Sequence, residues 1–173
     1  MTTRPFPLMQ WINDNRHLLK PPVNNKVIFE DTNFIVMAVG GPNARKDYHY
    51  NEGEEFFYQL EGDIIVGIQE DGKAIDIPIK QGEIFLLPPR VPHNPKRGAN
   101  TIGLVIERKR TTDEKDGLLW FCEKCNHPLH AAYFGLTNIA TQFQAVFAEF
   151  YASEKLRTCT QCGTVMQPPQ ATI

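Results

Sequence analysis

Leu8, Trp11, Ile12 and Leu19 fall on one face at helical spacing, which predicts a short N-terminal helix. Lys20-Pro21-Pro22 stops it, because proline disfavours the α region for the residue before it. From Val27 to Arg108 the chain reads as strands and turns. Phe34 to Val39 is one apolar run, and Phe56 to Leu60 is a second, closed by Glu61-Gly62-Asp63. Ile64 to Glu70, Asp71-Gly72 and Lys73 to Ile79 form a hairpin signal; the Asp-Gly pair suits a type I′ turn, with positive φ at both central residues. Ile75, Ile77 and Ile79 alternate with Ala74, Asp76 and Pro78, the period of a half-buried strand. Glu83 to Leu87 and Thr101 to Arg108 complete the set. Short antiparallel strands at this spacing predict a mainly β sandwich or barrel.

The pattern changes after Arg110. Residues 111–117 are polar and read as a linker. Trp120 to Cys125 carries a first Cys-x-x-Cys pair, and Cys159 and Cys162 form a second. Between them Ile139, Phe143, Val146, Phe147 and Phe150 recur at helical spacing, with Thr137 or Asn138 as the N-cap. The tail after Met166 is expected to fray. The expected division is residues 1–110, with the N-terminal helix, and a C-terminal extension over 111–173.

Bulk composition removes several function classes. Of 173 residues, 42% are hydrophobic, enough for the core of one ordinary domain with a small appendage. Lys plus Arg number 18 and Asp plus Glu 20, so no basic field exists to hold nucleic acid. No apolar run approaches the ~20 residues of a membrane span, and no signal-peptide core is visible. A cytoplasmic enzyme is the expectation. In a reducing compartment, two Cys-x-x-Cys pairs point to metal rather than disulfides.

The candidate chemistry starts with His49, Glu55 and His93. Two imidazoles and one carboxylate can hold one face of a divalent iron and leave the other open to substrate and O2. Imidazole nitrogen suits iron, zinc, copper and nickel alike, so the set does not name its metal. Singly, each residue also reads as an ordinary polar turn or loop group. The spacing is more specific. Gly41-x5-Asp47-x-His49-x5-Glu55-x6-Gly62 and Gly82-x5-Pro88-x-Arg90-x2-His93-x3-Arg97 resemble the two cupin motifs. The first motif usually has a second His where this chain has Asp47, which reduces four ligands to three. The resemblance implies a cupin (jelly-roll) β-barrel.

Longer stretches carry a closer resemblance. Leu18 to Asn25, Val39 to Arg45, Glu55 to Gln59, Ile84 to Pro88 and Val105 to Arg108 are similar to the 3-hydroxyanthranilate 3,4-dioxygenase family. The likeness runs over nearly the whole chain, cysteine pairs included. It implies an iron(II)-dependent, extradiol-type dioxygenase. Such an enzyme opens the ring of 3-hydroxyanthranilate with O2 to 2-amino-3-carboxymuconate semialdehyde. That product closes to quinolinate, for NAD biosynthesis or within tryptophan and aromatic degradation. His49, Glu55 and His93 then match the catalytic iron ligands, and Arg45 the arginine beside O2. Arg97 and Glu107 match the pair on the substrate's carboxylate side, and Asn25, Phe57 and Pro95 fall on pocket-lining positions. Position 94 is Asn where many relatives have Ser. The family also implies a homodimer. Without it, Arg45 beside Lys46 and Arg97 beside Lys96 read as surface cations.

Cys122, Cys125, Cys159 and Cys162 can give one metal a tetrahedral set of four thiolates, suited to zinc or a single iron. Closed coordination leaves no place for substrate, so the site is expected to be structural, a rubredoxin-like knuckle. His127 and His130 are alternative ligands beside the first pair. Two rival readings stand: a cupin of another activity, which would not need Arg45, Arg97 and Glu107 together, and a non-enzymatic sensor or binding module.

Overall fold

The protein, a computed structural model, is described over residues 4–21, 24–29, 32–136 and 139–169, without the side chains of 139–141. Two antiparallel sheets contain all the named strands. The first has five, in the order β1 (Asn25–Phe29), β2 (Phe34–Gly40), β9 (Ile102–Arg108), β4 (Glu55–Glu61), β7 (Ile84–Leu87). The second has six: β11 (Pro128–Phe134), β10 (Asp116–Phe121), β3 (Tyr48–Tyr50), β8 (His93–Arg97), β5 (Ile64–Glu70), β6 (Lys73–Ile79). The mainly β fold is the expected one, but the barrel is not closed. Closure needs a hydrogen-bonded ladder between sheet edges, and the described edge strands β1, β7, β6 and β11 make none.

The period of two explains what lies between the sheets. Along β4, Glu55, Phe57 and Gln59 are buried while Phe56 and Tyr58 are less so. Phe57, Leu87 and Val105 from one sheet pack against Ile64, Val66, Ile68 and Ile79 from the other. The same inward parity on β9 carries Glu107, which pairs in register with Glu55. On β8 it carries His93, Pro95 and Arg97; on β3 it carries His49, opposite His93.

The hairpin follows its sequence closely. β5 and β6 flank Asp71-Gly72, whose φ values are 49° and 74°, both positive as a type I′ turn requires. Only part of β6 is half-buried: Ile79 is in the core, but Ile75 is 37% exposed near the tip of an edge strand. The N-terminal helix α1 (Leu8–Asn15) buries Ile12, and Leu19 follows it inward. Both pack on Ala38 and Ile102, with Leu8, Trp11, Ile28, Leu60 and Leu104 around them. Pro22, the second proline of the stop signal, lies outside the described residues.

The reading of 111–117 as a linker needs correction. Asp116 and Gly117 begin β10 and are buried, and β10 pairs with β3 in the same sheet. They are strand residues because the apolar run behind them, Leu118 and Trp120, alternates inward and draws them into the ladder. β11 was not anticipated; it pairs with β10 between the two cysteine pairs. Helix α2 (Ile139–Ala152) covers this end of the sheet, with Phe143 and Phe150 buried against Leu118, Trp120 and Met166. Its proposed N-caps, Thr137 and Asn138, lie outside the described residues, as does part of the tail. Helix α3 (Glu154–Arg157) is capped by Ser153, whose hydroxyl accepts from the Leu156 amide. No described helix is long and apolar enough to cross a membrane.

Trp120 anchors the C-terminal packing: it is fully buried and stacks on Phe150 at 4.1 Å between ring centroids. Emptying that site should cost about 3–5 kcal/mol, which at roughly 2–4 °C per kcal/mol is a fall in Tm of about 6–20 °C for Trp120→Ala. Thermal denaturation followed by circular dichroism checks it. A melting curve superimposable on the parent's would remove Trp120 as the anchor.

Candidate metal centre and pocket

His49, Glu55 and His93 converge from β3, β4 and β8, with their ligand atoms all within 4.8 Å of one another. All three are buried. The strands place them there by register: His49 faces His93 across one ladder and Glu55 faces Glu107 across another. The imidazoles meet at 5.3 Å between centroids.

The donor set fits a cation. His93 Nδ1 lies 3.1 Å from the Val91 carbonyl. A neutral imidazole donating there keeps its lone pair on Nε2. That nitrogen lies 2.9 Å from Glu55 Oε2, yet this oxygen has no hydrogen-bond partner among the described residues. Two acceptors aimed at one point in a buried site call for a metal ion or a proton. Burial alone would raise the Glu55 carboxyl, but His93 holds it down at about 2. Burial works against the charged form of His93, yet Glu55 raises its pKa.

A pocket of about 100 Å³ opens beside the triad, with Asn25, Arg45, Pro95, Arg97 and Glu107 on its wall. Phe57 is not on that wall. It lies one layer deeper in the core, with its ring edge-on to His93 at 6.2 Å. Arg97 is 4% exposed, and Gln59 Oε1, at 3.3 Å, is the partner of its guanidinium; its Nε has none, and no described carboxylate pairs with it. Burial lowers its pKa to about 10 against the pull of Glu55. Gly103 permits this packing. A Cβ there would stand 2.6 Å from Gln59 Oε1 and 3.2 Å from Arg97 Nη1. A buried guanidinium so poorly matched is a ready receptor for an anion.

Arg45 is held differently. Asp47 accepts from its Nε at 3.0 Å. Its guanidinium also lies 5.5 Å from the ring centroids of both Phe143 and Phe147 on α2. Burial opposes its charge, but Asp47 raises its pKa, so it stays a cation. Asp47, where the cupin motif usually has a ligand histidine, thus serves Arg45 and is not part of the metal-capable triad. The Asn94 side chain donates to the carbonyls of Arg45 and Asp47, which pins the approach to β3.

Three groups at the site were not assigned to it from sequence. Phe143 lines the pocket and contacts the His49 ring at 5.3 Å. Asp116, fully buried, places Oδ1 2.7 Å from His49 Nε2. Arg110 spans Asp116 and Glu107. Burial would raise Asp116, but His49 and Arg110 hold it below the usual carboxylate range. Glu107 is raised, first by burial and then by Glu55. The signal that could have found Asp116 is its place before the apolar run Gly117 to Trp120, a strand start rather than a linker.

The four cysteines form a second group. Sγ–Sγ distances are 3.5 Å for Cys122–Cys162, Cys125–Cys159 and Cys125–Cys162. A zinc tetrahedron with bonds of about 2.3 Å has edges of roughly 3.8 Å, so the cage is the right size for a metal. Each pair makes the same turn. Cys122 N donates to His127 O and Asn126 N to Cys122 O; Cys159 N donates to Thr164 O and Gly163 N to Cys159 O. Asn126 and Gly163 close the turns at φ 59° and 72°. Thr164 draws the Cys162 thiol down to about 6. A backbone bond at His127 favours the Cys125 thiolate, but the neighbouring sulfurs push it up to about 12. Four thiolates this close need a cation. His127 instead meets Thr160, and His130 packs on Trp120 and Phe150; neither is in the metal-capable cluster.

A family model described as 3-hydroxyanthranilic acid dioxygenase matches residues 1–151. A 3-hydroxyanthranilate 3,4-dioxygenase from Xanthomonas campestris pv. campestris (strain 8004) is 59% identical over 170 residues, covering 98% of this chain and 96% of that protein. One of the same name from Bacillus thuringiensis (strain Al Hakam) is 46% identical over 166 residues, covering 95% and 93%. Among solved structures, a cupin-2 domain containing protein from Shewanella frigidimarina NCIMB 400 is 20% identical. It covers 57% of this chain and 92% of that one, with a TM-score of 0.46.

The cysteine cage yields a prediction. Apparent metal-binding energies at structural four-ligand zinc sites reach roughly 10–16 kcal/mol, and they act as folding energy. Cys122→Ser combined with Cys125→Ser should lose one metal equivalent and melt at clearly lower temperature. Metal analysis beside calorimetry reads both. Unchanged stability after loss of that metal would strip the knuckle of its structural role.

Proposed function

This chain belongs to the 3-hydroxyanthranilic acid dioxygenase family, and on that premise we propose that it opens the ring of 3-hydroxyanthranilate with O2 at an iron(II) held by His49, Glu55 and His93. The observation that carries the reading is the buried, underpartnered guanidinium of Arg97 on the wall of the triad's pocket. It is the feature that asks for a carboxylate on an aromatic substrate. His49, Glu55 and His93 would hold the iron(II), which when bound would supply electron donation toward O2 and a binding point for an ortho-aminophenol.

The chain's own residues do the rest. Arg97 grips the substrate carboxylate through its planar fork. Glu107 lies on the same wall and helps to hold the substrate on its carboxylate side, as the family resemblance implies. Arg45, kept cationic by Asp47, stabilises negative charge as it develops on oxygen. Phe143 closes the pocket with an aromatic face, which keeps water from the ring. Asn25 and Pro95 complete the wall. The product is 2-amino-3-carboxymuconate semialdehyde, which cyclises to quinolinate.

The thiolate cage is assigned to structural zinc or iron, and unoxidised cysteines suit a reducing cytoplasm. The family's homodimer belongs to the same proposal. It is supported by Ile84 and Leu86, 66% and 53% exposed on the edge strand β7.

Each of His49→Ala, Glu55→Ala and His93→Ala should lose the catalytic iron and with it ring cleavage, since three ligands leave no spare. Iron content of the folded variants, read beside absorbance of the ring-opened product, tests this. One variant with full iron and full turnover would dissolve the triad.

Arg97 and Arg45 should separate by substrate. Removing one partner of a desolvated charge pair costs roughly 2–5 kcal/mol, and about 1.4 kcal/mol is tenfold. Arg97→Ala should therefore weaken 3-hydroxyanthranilate binding by roughly thirtyfold or more. For 2-aminophenol, which lacks the carboxylate, it should change far less. Arg45→Ala should depress turnover of both compounds instead. Equal losses on the two compounds for Arg97→Ala would take Arg97 out of the carboxylate site.

A further inference from the structure

We propose that Arg110 and Asp116 form a positioning unit that fixes the metal ligand His49 and the substrate-facing Glu107 relative to each other. The inference rests on the metal reading of the triad and goes beyond it, because neither residue is a member of the metal-capable cluster or of the pocket wall; each acts through one that is.

The contacts are continuous and buried. Asp116 Oδ1 lies 2.7 Å from His49 Nε2. Arg110 grips the same carboxylate with both arms of its fork, Nε to Oδ2 at 2.9 Å and Nη2 to Oδ1 at 2.6 Å. Its remaining nitrogen, Nη1, is ion-paired with Glu107 Oε1 at 2.9 Å. Glu107 Oε2 accepts from Asn51 Nδ2 at 3.1 Å, and Asn51 in turn is held by the Gly53 amide. The side chains of Arg110, Glu107 and Asp116 are 8%, 2% and 0% exposed. The unit ties the end of β9, the start of β10 and the region of β3 together.

Each part constrains the next. An ionised Asp116 can only accept, so the His49 ring must donate to it. A neutral imidazole that donates at one nitrogen keeps a lone pair on the other. Asp116 thereby sets both the ring's plane and its tautomer, as carboxylates behind metal-binding histidines commonly do. A free carboxylate could swing about its own bond; two parallel contacts from a planar guanidinium stop it. The same cation fixes Glu107 and offsets its charge beside Glu55. Buried ion pairs contribute little net stability, and apolar replacements are often as stable. Orientation of the two functional groups is what this arrangement supplies that packing would not.

The test uses the full chain with zinc in the thiolate cage and iron(II) at the triad. The iron dissociation constant is measured anaerobically by chelator competition, beside KM and kcat for 3-hydroxyanthranilate. Asp116→Asn keeps the shape and should weaken iron binding about 10–100-fold, with zinc content and circular dichroism unchanged. Arg110→Lys keeps the charge but loses the fork; it should weaken iron binding and also raise KM, because Glu107 is released. If Asp116→Asn does not fold, Arg110→Lys decides by the same readouts. Parental iron affinity in both folded variants, even with a lower Tm, would reduce the pair to ordinary packing and overturn the inference. His49→Ala separates the two levels. If it loses iron while the other variants bind normally, the positioning unit alone falls. If it retains iron, the triad reading falls and takes the unit with it.

Discussion

Charge buried between two sheets is the constraint on which this molecule is built. Asp47, Glu55, Glu107 and Asp116 are all nearly inaccessible to solvent. An isolated buried carboxylate is expensive, so each must face a cation or change its protonation. The chain meets that requirement with Arg45 for Asp47, Arg110 for Glu107 and Asp116, and a histidine-flanked metal position for Glu55. Arg97 is the exception: it is buried and, among the described residues, paired with no carboxylate. The imbalance is local: it leaves one buried cation on the wall of the pocket, underpartnered among the described residues.

The surroundings keep these charges in place without flexible side chains. Backbone ladders fix Glu55 against Glu107 and His49 against His93, so strand register sets the spacing of the metal-capable triad. Where the ladder cannot reach, planar groups take over. Arg45 lies over two phenylalanine rings, a contact that limits its tilt as well as stabilising its charge. Those rings come from α2, which is itself pinned to Trp120, so the setting of Arg45 depends on packing that begins far along the chain.

Much of this was readable from residues alone, for physical reasons. The Asp71-Gly72 hairpin was legible because two successive positive φ values demand those residue types. The triad was legible because two histidines and a carboxylate form a metal-capable donor set and stand at spacings that resemble the cupin motifs. Arg110 and Asp116 were not, since they sit in a run of charges indistinguishable from a solvated loop. Only the register of β10 on β3, with Leu118 opposite His49, brings Asp116 to the imidazole. Phe57 shows the converse limit: the resemblance put it among the pocket-lining positions, but depth separates a pocket wall from the core behind it. For Phe143, helical period predicted a buried face and could not say that the face meets an arginine.

The place of β10 has a consequence for how the protein comes into being on the ribosome. His49 sits on a three-residue strand that meets β8 through a single paired position, and meets β10 through three. Synthesis proceeds from the N-terminus, so all three triad residues emerge before the strand that secures one of them. Until β10 is made, β3 is a loosely held edge and Arg110 lacks Asp116. Until α2 follows, Trp120 lacks its stacking partner Phe150 and Arg45 lacks both of its rings. The nascent chain therefore holds every ligand of the metal-capable triad before the strand and helix that orient them, and the site is finished only when β10 and α2 have been added.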